Sequence, residues 1–289
     1  MNTLLYLSYG RGPHELEVAF SALSTLRNSK QTEQFRTLVY TDNPDSFANQ
    51  PVDVQFVASG QWVAWAGKQR FNHRRKIMAL QHALATADGP VVLLDGDTWL
   101  RGAIHQLFDR IGPGQSLMHI WEGQVSDVRT PVYQRLQQVL DNASLVDSKG
   151  ISYRIPSHAS MWNAGVIGLH PEDAPLLDEV LHLTDQLTQI SDLHILEQFA
   201  FSCVLSERTS LSEAADLVFH YWPPYLHNPF RKKLPLLMKS VEHLPLEEKI
   251  ERLYAQRPRP GFLRRIKVVA KRILQHAGIL RGQCRSSEW

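Results

Sequence analysis

The sequence has few of the features that mark secreted, membrane-spanning or fibrous proteins. Its 289 residues include only two cysteines, which are too few for a disulfide framework and favour a reducing compartment. No apolar run reaches the roughly 20 residues that a membrane-spanning helix needs. The opening residues, MNTLLYLSYG, have no charged segment before their short apolar run and therefore do not predict a signal peptide. Internal repeats and low-complexity segments are also missing, which favours a globular protein. Because the low cysteine content favours a reducing compartment, we expect this protein in the cytoplasm.

Charge is ordinary in amount but uneven in distribution. Charged residues make up 21% of the chain and hydrophobic residues 43%, as in a typical globular protein. The formal net charge is only +2, from 31 Lys and Arg against 29 Asp and Glu. Residues 257–289 hold nine of these basic residues and one of the acidic ones. The rest of the chain is therefore mildly acidic, which argues against nucleic acid as a partner.

Strand-like and helix-like segments alternate along the chain. Apolar residues recur at helical spacing in segments 16–26, 74–84, 132–140, 174–190 and 193–205. Short apolar runs bounded by turn residues predict strands at 4–8, 37–41, 52–57, 91–100, 161–169 and 217–222, with a further apolar run at 116–121. This alternation predicts an α/β fold with a mixed, mainly parallel sheet that helices cover on both faces.

The segment VVLLDGDTWL, residues 91–100, reads as a buried central strand that ends in two carboxylates, Asp95 and Asp97. Open α/β folds place their ligands at the carboxyl ends of such strands. A hard divalent cation with oxygen ligands is one way to keep two neighbouring carboxylates ionised. The alternative is a strand followed by an acidic turn, because Asp and Gly are common in turns.

Six segments together resemble a nucleotide-sugar glycosyltransferase with the GT-A fold, closest to the retaining family 8 type. They occur in the family's order and span most of residues 1–235. They read LVYTD (38–42), RRKIMAL (74–80), VVLLDGDTWL (91–100), MWNAGVIGLHP (161–171), LEQFAFSCVL (196–205) and LVFHYW (217–222). The resemblance implies the Rossmann-like sheet of nucleotide-diphospho-sugar transferases and an Mn²⁺- or Mg²⁺-dependent hexosyl transfer.

The resemblance also implies a metal site. Asp95 and Asp97 match the family's Asp-x-Asp motif, in which the carboxylates bind a metal that bridges the nucleotide diphosphate. His220 matches the family's third, histidine ligand. The alternative for His220 is a core histidine on an apolar strand. The family's basic residue that contacts the diphosphate lies closer to that histidine than Arg231 does here, so this role is not carried over.

Two further motifs imply a sugar site. Asn163, Ala164 and Gly165 match the family's Asn-Ala-Gly element, which lines the donor sugar. Glu197 and Gln198 resemble its Asp-Gln element, so we assign them as catalytic residues, with Glu197 also binding sugar hydroxyls. The alternatives are a glycine-containing core strand and an exposed pair on a helix.

Nucleotide binding is implied for residues that follow the first two strands and for the start of the helix before the metal strand. These residues are Ser8, Tyr9, Asp42, Arg75, Lys76 and Asp95. The resemblance favours a UDP-sugar as the donor. Cations at a helix start are also often simply solvated.

The chain ends in a predicted basic amphipathic helix. One apolar face runs from Phe262 to Leu280 at steps of three and four, with basic residues mostly away from it. Such a segment is typical of attachment to anionic lipids; the alternative is a helix packed on the domain. We predict a catalytic domain over 1–245, a basic tail over 246–289 and membrane contact through 258–281, peripheral to the inner face of the cytoplasmic membrane.

The sequence therefore predicts transfer of a sugar to an acceptor hydroxyl on a glycan or a lipid-linked glycan. Residues 121–158 are our expected acceptor contacts, and Asp192, His194 and His158 are candidate bases should the reaction invert configuration. Two other classes stay open. One is a nonenzymatic sugar-nucleotide binder or membrane adaptor. The other is a haloacid dehalogenase-type phosphohydrolase, for which we find no later paired-acid motif.

Overall fold

The computed structural model describes residues 1–29, 34–128, 130–147, 149–156 and 158–259. The helices are α1 (Pro13–Arg27), α2 (Ser59–Trp65), α3 (Arg74–Leu84), α4 (His105–Phe108), α5 (Pro131–Asn142), α6 (Leu176–Ile190), α7 (Leu196–Arg208), α8 (Pro224–Ser240) and α9 (Leu246–Ala255). The strands are β1 (Asn2–Ser8), β2 (Phe35–Thr41), β3 (Asp53–Phe56), β4 (Val91–Leu94), β5 (Thr98–Leu100), β6 (Gln115–Met118), β7 (Trp121–Gln124), β8 (Leu145–Val146), β9 (Ser152–Tyr153), β10 (Ser160–Trp162), β11 (Val166–Leu169), β12 (Ser210–Glu213) and β13 (Val218–His220).

Seven strands form one sheet in the order β12-β6-β11-β4-β1-β2-β3. Four of the six strand pairs are parallel, and β11 runs antiparallel to both of its neighbours. The predicted mixed, mainly parallel sheet is thus confirmed. The strand β4 is the fourth of seven, so the carboxylates that follow it emerge from the middle of the sheet.

Alternate side chains of the central strands enter two separate cores. Leu5 and Leu93 pack into a core with α2, α3, α5, α6 and α7. Leu4 and Leu94 pack into the opposite core with α1 and α4. Helices therefore cover both faces, which explains why these strands read as continuous apolar runs in the sequence.

A third core joins α1, β5, α8 and α9. Trp99 of β5 lies in it, 6% exposed, and its ring contacts Phe219 and Tyr254 at centroid distances of 5.3 and 5.5 Å. The indole Nε1 also donates to the carbonyl of Pro258 at 3.2 Å. Residues 246–258 therefore pack against the sheet-forming part of the chain.

Most predicted elements form near their predicted bounds, with two kinds of difference. The predicted strand 91–100 is interrupted at residues 95–97, so that β4 and β5 belong to different sheets, and the predicted strand 161–169 is interrupted at residues 163–165, which separate β10 from β11. The sequence did not predict the helices α2, α4, α8 and α9 or the strands β7, β8, β9 and β12. The apolar face that starts at Phe262 lies outside the described residues, and the predicted division at residue 245 stays a prediction. No helix in the described ranges is both long and apolar enough to span a bilayer.

Candidate metal and donor site

A tight turn after β4 and a two-stranded ribbon bring the predicted metal ligands together. The turn is closed by the Thr98 hydroxyl, which donates to the carbonyl of Asp95 at 2.7 Å. The chain then enters β5, which pairs antiparallel with β13, so that Thr98 lies opposite His220. The backbone N–H of Tyr221 donates to the carbonyl of Asp97 at 2.9 Å. This ribbon sets His220 beside carboxylates that are more than 120 residues away in sequence.

Asp95, Asp97 and His220 form a cluster in which one ligand atom from each lies within 4.8 Å of the others. The His220 Nε2 is 3.1 Å from Asp97 Oδ1 and 4.0 Å from Asp95 Oδ2. Burial raises the pKa of the Asp97 carboxyl, but the charge and hydrogen bond of His220 outweigh it and hold that pKa below its usual value. Carboxylate oxygens are preferred ligands of Mg²⁺ and Mn²⁺, and an imidazole nitrogen is a preferred ligand of transition metals such as zinc. This donor set could therefore hold a divalent cation of either kind.

The orientation of His220 is fixed by Asn163, which supports a ligand role for its Nε2. The Asn163 Oδ1 accepts the backbone N–H of Gly165 at 3.0 Å, which identifies this atom as the amide oxygen. It lies 2.9 Å from His220 Nδ1, which must therefore carry a proton and donate. The Nε2 faces the two carboxylates, and a cation bound there would take the place of the proton that Nε2 shares with Asp97. Histidine ligands of metals are commonly oriented in this way.

Gly165 is close enough to His220 that a side chain could not fit between them. A Cβ at this position would overlap the imidazole ring. The Asn-Ala-Gly element thus supplies both a hydrogen bond and the space that His220 needs.

Lys76 neutralises part of the site, which the sequence did not lead us to expect. Its ammonium group contacts Asp95 Oδ1 at 2.7 Å and Glu197 Oε1 at 3.6 Å, and donates to the carbonyl of Ala164 at 3.3 Å. Burial lowers the pKa of Lys76, but the charges of Asp95 and Glu197 outweigh it and raise that pKa above its ordinary value. Lys76 therefore links the metal-ligand cluster to the Glu-Gln element.

Glu122 connects the two predicted sugar-site elements, and the sequence did not single it out. Its carboxylate accepts from Asn163 Nδ2 at 3.1 Å, from Gln198 Nε2 at 3.2 Å and from the Tyr133 hydroxyl at 2.6 Å. Gln198 Oε1 in turn accepts the backbone N–H of Ala164 at 3.2 Å. Burial raises the pKa of Glu122 despite these donors. The sequence analysis included Glu122 only as part of the expected acceptor stretch 121–158. In the structure it lies in strand β7.

A cavity of about 330 Å³ opens beside the metal-ligand cluster, and we call it the donor cavity. Asp95, Asp97, Lys76, Tyr9 and Arg75 are among its lining residues. The Arg75 guanidinium stacks over the Tyr9 ring at 4.3 Å, and Trp62 lies on that ring at a centroid distance of 4.9 Å.

The other two residues predicted to bind the nucleotide lie near the donor cavity rather than in its lining. Asp42 accepts the backbone N–H of Gly10 with both carboxylate oxygens at 3.0 Å. Ser8 is buried, and its hydroxyl has no hydrogen-bond partner among the described residues.

A buried carboxylate holds two cationic side chains of α8 at the donor cavity. Glu17 of α1 lies 2.9 Å from His227 Nε2 and 3.2 Å from Arg231 Nη2, and all three residues line the cavity. The hydrogen bond to Glu17 and the charges of Glu17 and Asp97 raise the pKa of His227 against the effect of burial. The sequence analysis considered Arg231 but missed Glu17 and His227, because neither residue lies in a motif.

Solved structures of glycosyltransferases are similar to this chain. The apo structure of the bifunctional glycosyltransferase WbbM matches 86% of this chain and 51% of its own, with a TM-score of 0.50 and 10% identity. The apo structure of mouse xyloside xylosyltransferase 1 matches 81% of this chain and 93% of its own, with a TM-score of 0.47 and 12% identity. The chain thus spans about half the length of the WbbM structure. The likeness to WbbM establishes the GT-A type of fold.

The sequence itself matches neither a protein-family model nor a curated protein.

Proposed function

We propose that the protein is a metal-dependent glycosyltransferase that moves a sugar from a nucleotide-diphosphate donor to an acceptor hydroxyl. The cluster of Asp95, Asp97 and His220 beside the donor cavity carries this proposal. It lies at the carboxyl end of the central strand, where open α/β sheets bind their ligands. The GT-A fold agrees with the proposal, and the phosphohydrolase alternative loses its support.

The three ligands would hold Mn²⁺ or Mg²⁺, which when bound supplies positive charge to the diphosphate leaving group. His227 and Arg231 face the same cavity and add cationic hydrogen-bond donors that match phosphate oxygens. They stand in for the single basic residue that the resembled family places after its histidine ligand. Because Glu17 holds both side chains in position, little reorganisation would be needed when the diphosphate binds.

The nucleoside would occupy the part of the donor cavity beside Tyr9 and Arg75, with Ser8 and Asp42 behind it. The stacked ring and guanidinium offer a flat surface to a base. A UDP-sugar is our preferred donor by resemblance to family 8.

The donor sugar would lie among Asn163, Ala164, Gly165, Glu197 and Gln198. In the transfer, the bond from the anomeric carbon to the diphosphate oxygen breaks and a bond to the acceptor oxygen forms, while the acceptor proton passes to the diphosphate. We favour retention of configuration, with Glu197 and Gln198 nearest the reacting carbon. Glu122 would position Asn163 and Gln198 rather than react itself.

We place the activity in the assembly of a glycan, an envelope polysaccharide or a glycolipid at the cytoplasmic side of a membrane. The basic, amphipathic sequence of residues 258–281 supports attachment to an anionic surface. A lipid-linked acceptor would then be presented at the surface that holds the enzyme.

A panel of nucleotide sugars tests the proposal, with Mn²⁺-dependent hydrolysis and thermal stabilisation as readouts. We expect at least one donor to be hydrolysed, and Asp97→Ala to abolish this. The exposed Asp88→Ala is the matched control and should retain full activity. Binding of donor and metal without turnover would favour the nonenzymatic binder, and failure of every nucleotide sugar to bind would exclude both.

A further inference from the structure

A second and larger cavity, of about 970 Å³, lies next to the donor cavity. Three elements build its walls: the loop 69–73 before α3, one face of α5, and the carboxyl end of α6. On α5, the lining residues Arg135, Gln138, Val139 and Asn142 recur at steps of three, one and three, which places them on one helix face. We call this space the amide-lined cavity. Its volume is near the upper end for small-molecule sites, so it can hold a ligand of more than one ring.

The amide-lined cavity adjoins the donor cavity. Asn72 and His73 line both cavities. His194, which also lines the amide-lined cavity, is close enough to His73 and Glu197 for their charges to affect its pKa, which burial lowers first. Of the three candidate bases, His194 and Asp192 line this space, while His158 does not. A ligand here would thus meet the donor cavity at Asn72 and His73.

The lining is polar, and its amide side chains outnumber its charged ones. Five of its side chains are amides, each with donors and an acceptor suited to hydroxyl groups, and Thr188 and Ser191 add hydroxyls. The amides are Gln69, Asn72, Gln138, Asn142 and Gln189. Phe71 adds an aromatic ring.

Charge at this cavity is mostly compensated. The carboxylate of Asp192 pairs with Arg135 at 3.0 Å. Arg70 is the other arginine of the lining.

The backbone of Arg70 has an unusual conformation. Arg70 is the only non-glycine residue of the described ranges with a positive φ, at 52°. Backbone in this region is strained and often occurs at ligand-binding loops.

We propose that the amide-lined cavity binds the acceptor and that this acceptor is an uncharged oligosaccharide. The proposal rests on the glycosyltransferase function above and adds the chemical class of its second substrate. The acceptor's terminal hydroxyl would lie near Asn72 and His73, where the two cavities meet, and its remaining rings would extend along α5 towards Asn142. An amide-rich wall recognises hydroxyls. Of its two guanidinium groups, Arg135 already pairs with Asp192, which leaves one arginine to meet an acidic glycan or a lipid diphosphate.

The test uses the full chain with Mn²⁺ and the nucleotide sugar that it hydrolyses fastest. Donor hydrolysis and transfer to short neutral oligosaccharides are measured side by side. Asn142→Trp fills the cavity from α5, and Ile190→Trp fills it from α6. We expect both variants to raise the acceptor KM by about tenfold or more while donor hydrolysis stays within about twofold of the wild type. Gln134→Trp, an exposed position of α5 outside the lining, should change neither rate.

The outcomes separate the two proposals. If the wild type hydrolyses no nucleotide sugar, the proposed function fails and the acceptor assignment falls with it. If hydrolysis is normal and either folded tryptophan variant transfers as well as the wild type, the cavity assignment is wrong. If only carboxylated glycans or a lipid diphosphate sugar accept the sugar, or if no glycan of the panel does, the uncharged-oligosaccharide class is wrong.

Discussion

At the scale of single residues, Lys76 occupies a carboxylate that the proposed metal would also need. Its ammonium contacts Asp95 Oδ1 at 2.7 Å and Oδ2 at 2.8 Å, so a cation that takes Asp95 must meet or displace this charge. Lys76 also compensates Glu197, whose side chain is only 3% exposed. We therefore expect the lysine to stabilise the site without a metal and to lower its affinity for one.

We therefore predict that Lys76→Met lowers the free energy of unfolding by on the order of 3 kcal/mol, because it leaves buried carboxylates without a partner. Added Mn²⁺, without any nucleotide sugar, should raise the melting temperature of the variant more than that of the wild type. Differential scanning calorimetry with and without Mn²⁺ measures both effects. Lys68→Met removes an exposed lysine and is the control. Equal Mn²⁺ shifts in wild type and Lys76→Met would contradict the competition.

Gly165 gives a second residue-scale prediction, because its missing side chain leaves room for His220. In Gly165→Ala the new methyl group would displace the imidazole, at a cost of about 1–3 kcal/mol for a tightly packed position. We expect a loss of Mn²⁺ affinity, measured by isothermal titration calorimetry, in protein shown to be folded by circular dichroism. Gly60→Ala, where a methyl group meets open space, should bind Mn²⁺ as the wild type does. Unchanged affinity in Gly165→Ala would argue against His220 as a ligand.

The sequence could locate Asp95, Asp97, His220, Asn163 and Gln198 because each lies in a short motif at a strand end or helix start. The structure brings these five together, although their roles stay proposals. Glu122, Glu17 and His227 escaped notice for a physical reason. Their importance comes from tertiary contacts to residues far away in sequence, and such contacts leave no local pattern.

At the scale of secondary structure, periodicity predicted the buried elements well and the proline-rich ones poorly. The strands β1, β2 and β4 are buried on both faces and read as plain apolar runs. The helix α8 contains Pro229 and Pro235, which disfavour a helix in isolation. It forms because Phe230 and Leu234 are buried in the third core, and tertiary packing outweighs local propensity. The sequence could not predict that β11 runs antiparallel to both neighbours. The direction of a strand depends on the path of the chain between strands, and this path leaves no pattern in the residues of the strand itself.

The pairing of α8 with α1 through His227 and Glu17 predicts a pH dependence of stability. The folded state raises the pKa of His227, so folding favours the protonated form. This contribution is complete below the unfolded pKa of about 6.5 and is lost as the pH rises through the raised folded pKa. The wild type should therefore exceed His227→Gln in unfolding free energy by more at about pH 6 than at about pH 9.

Urea denaturation of both proteins across this pH range measures the difference. His243→Gln replaces an exposed histidine and serves as the control, with no expected pH-dependent difference from the wild type. A wild-type advantage that stays constant or grows with pH would show that the ion pair to Glu17 does not stabilise the attachment of α8.

At the scale of the whole molecule, the ribbon that carries the candidate metal ligands packs on a core that the chain completes only after residue 245. The ribbon of β5 and β13, which sets His220 beside Asp97, has Trp99 on its far side. That indole packs on Tyr254 and donates to the carbonyl of Pro258, and the Arg257 guanidinium lies 4.8 Å above its ring. A predicted division between a catalytic domain ending at residue 245 and a separate tail would cut through this core.

We predict that deleting residues 246–289 destabilises the protein far more than deleting residues 260–289. The difference between the two truncations isolates residues 246–259, whose buried Ile250, Leu253 and Tyr254 contribute on the order of 5 kcal/mol by burial of apolar side chains. Thermal unfolding and Mn²⁺ titration of both proteins provide the comparison. Because the lost packing lies behind the ribbon, the longer deletion should also weaken Mn²⁺ binding. Equal stability of the two truncated proteins would support the predicted domain boundary at residue 245 and would uncouple α9 from the candidate metal site.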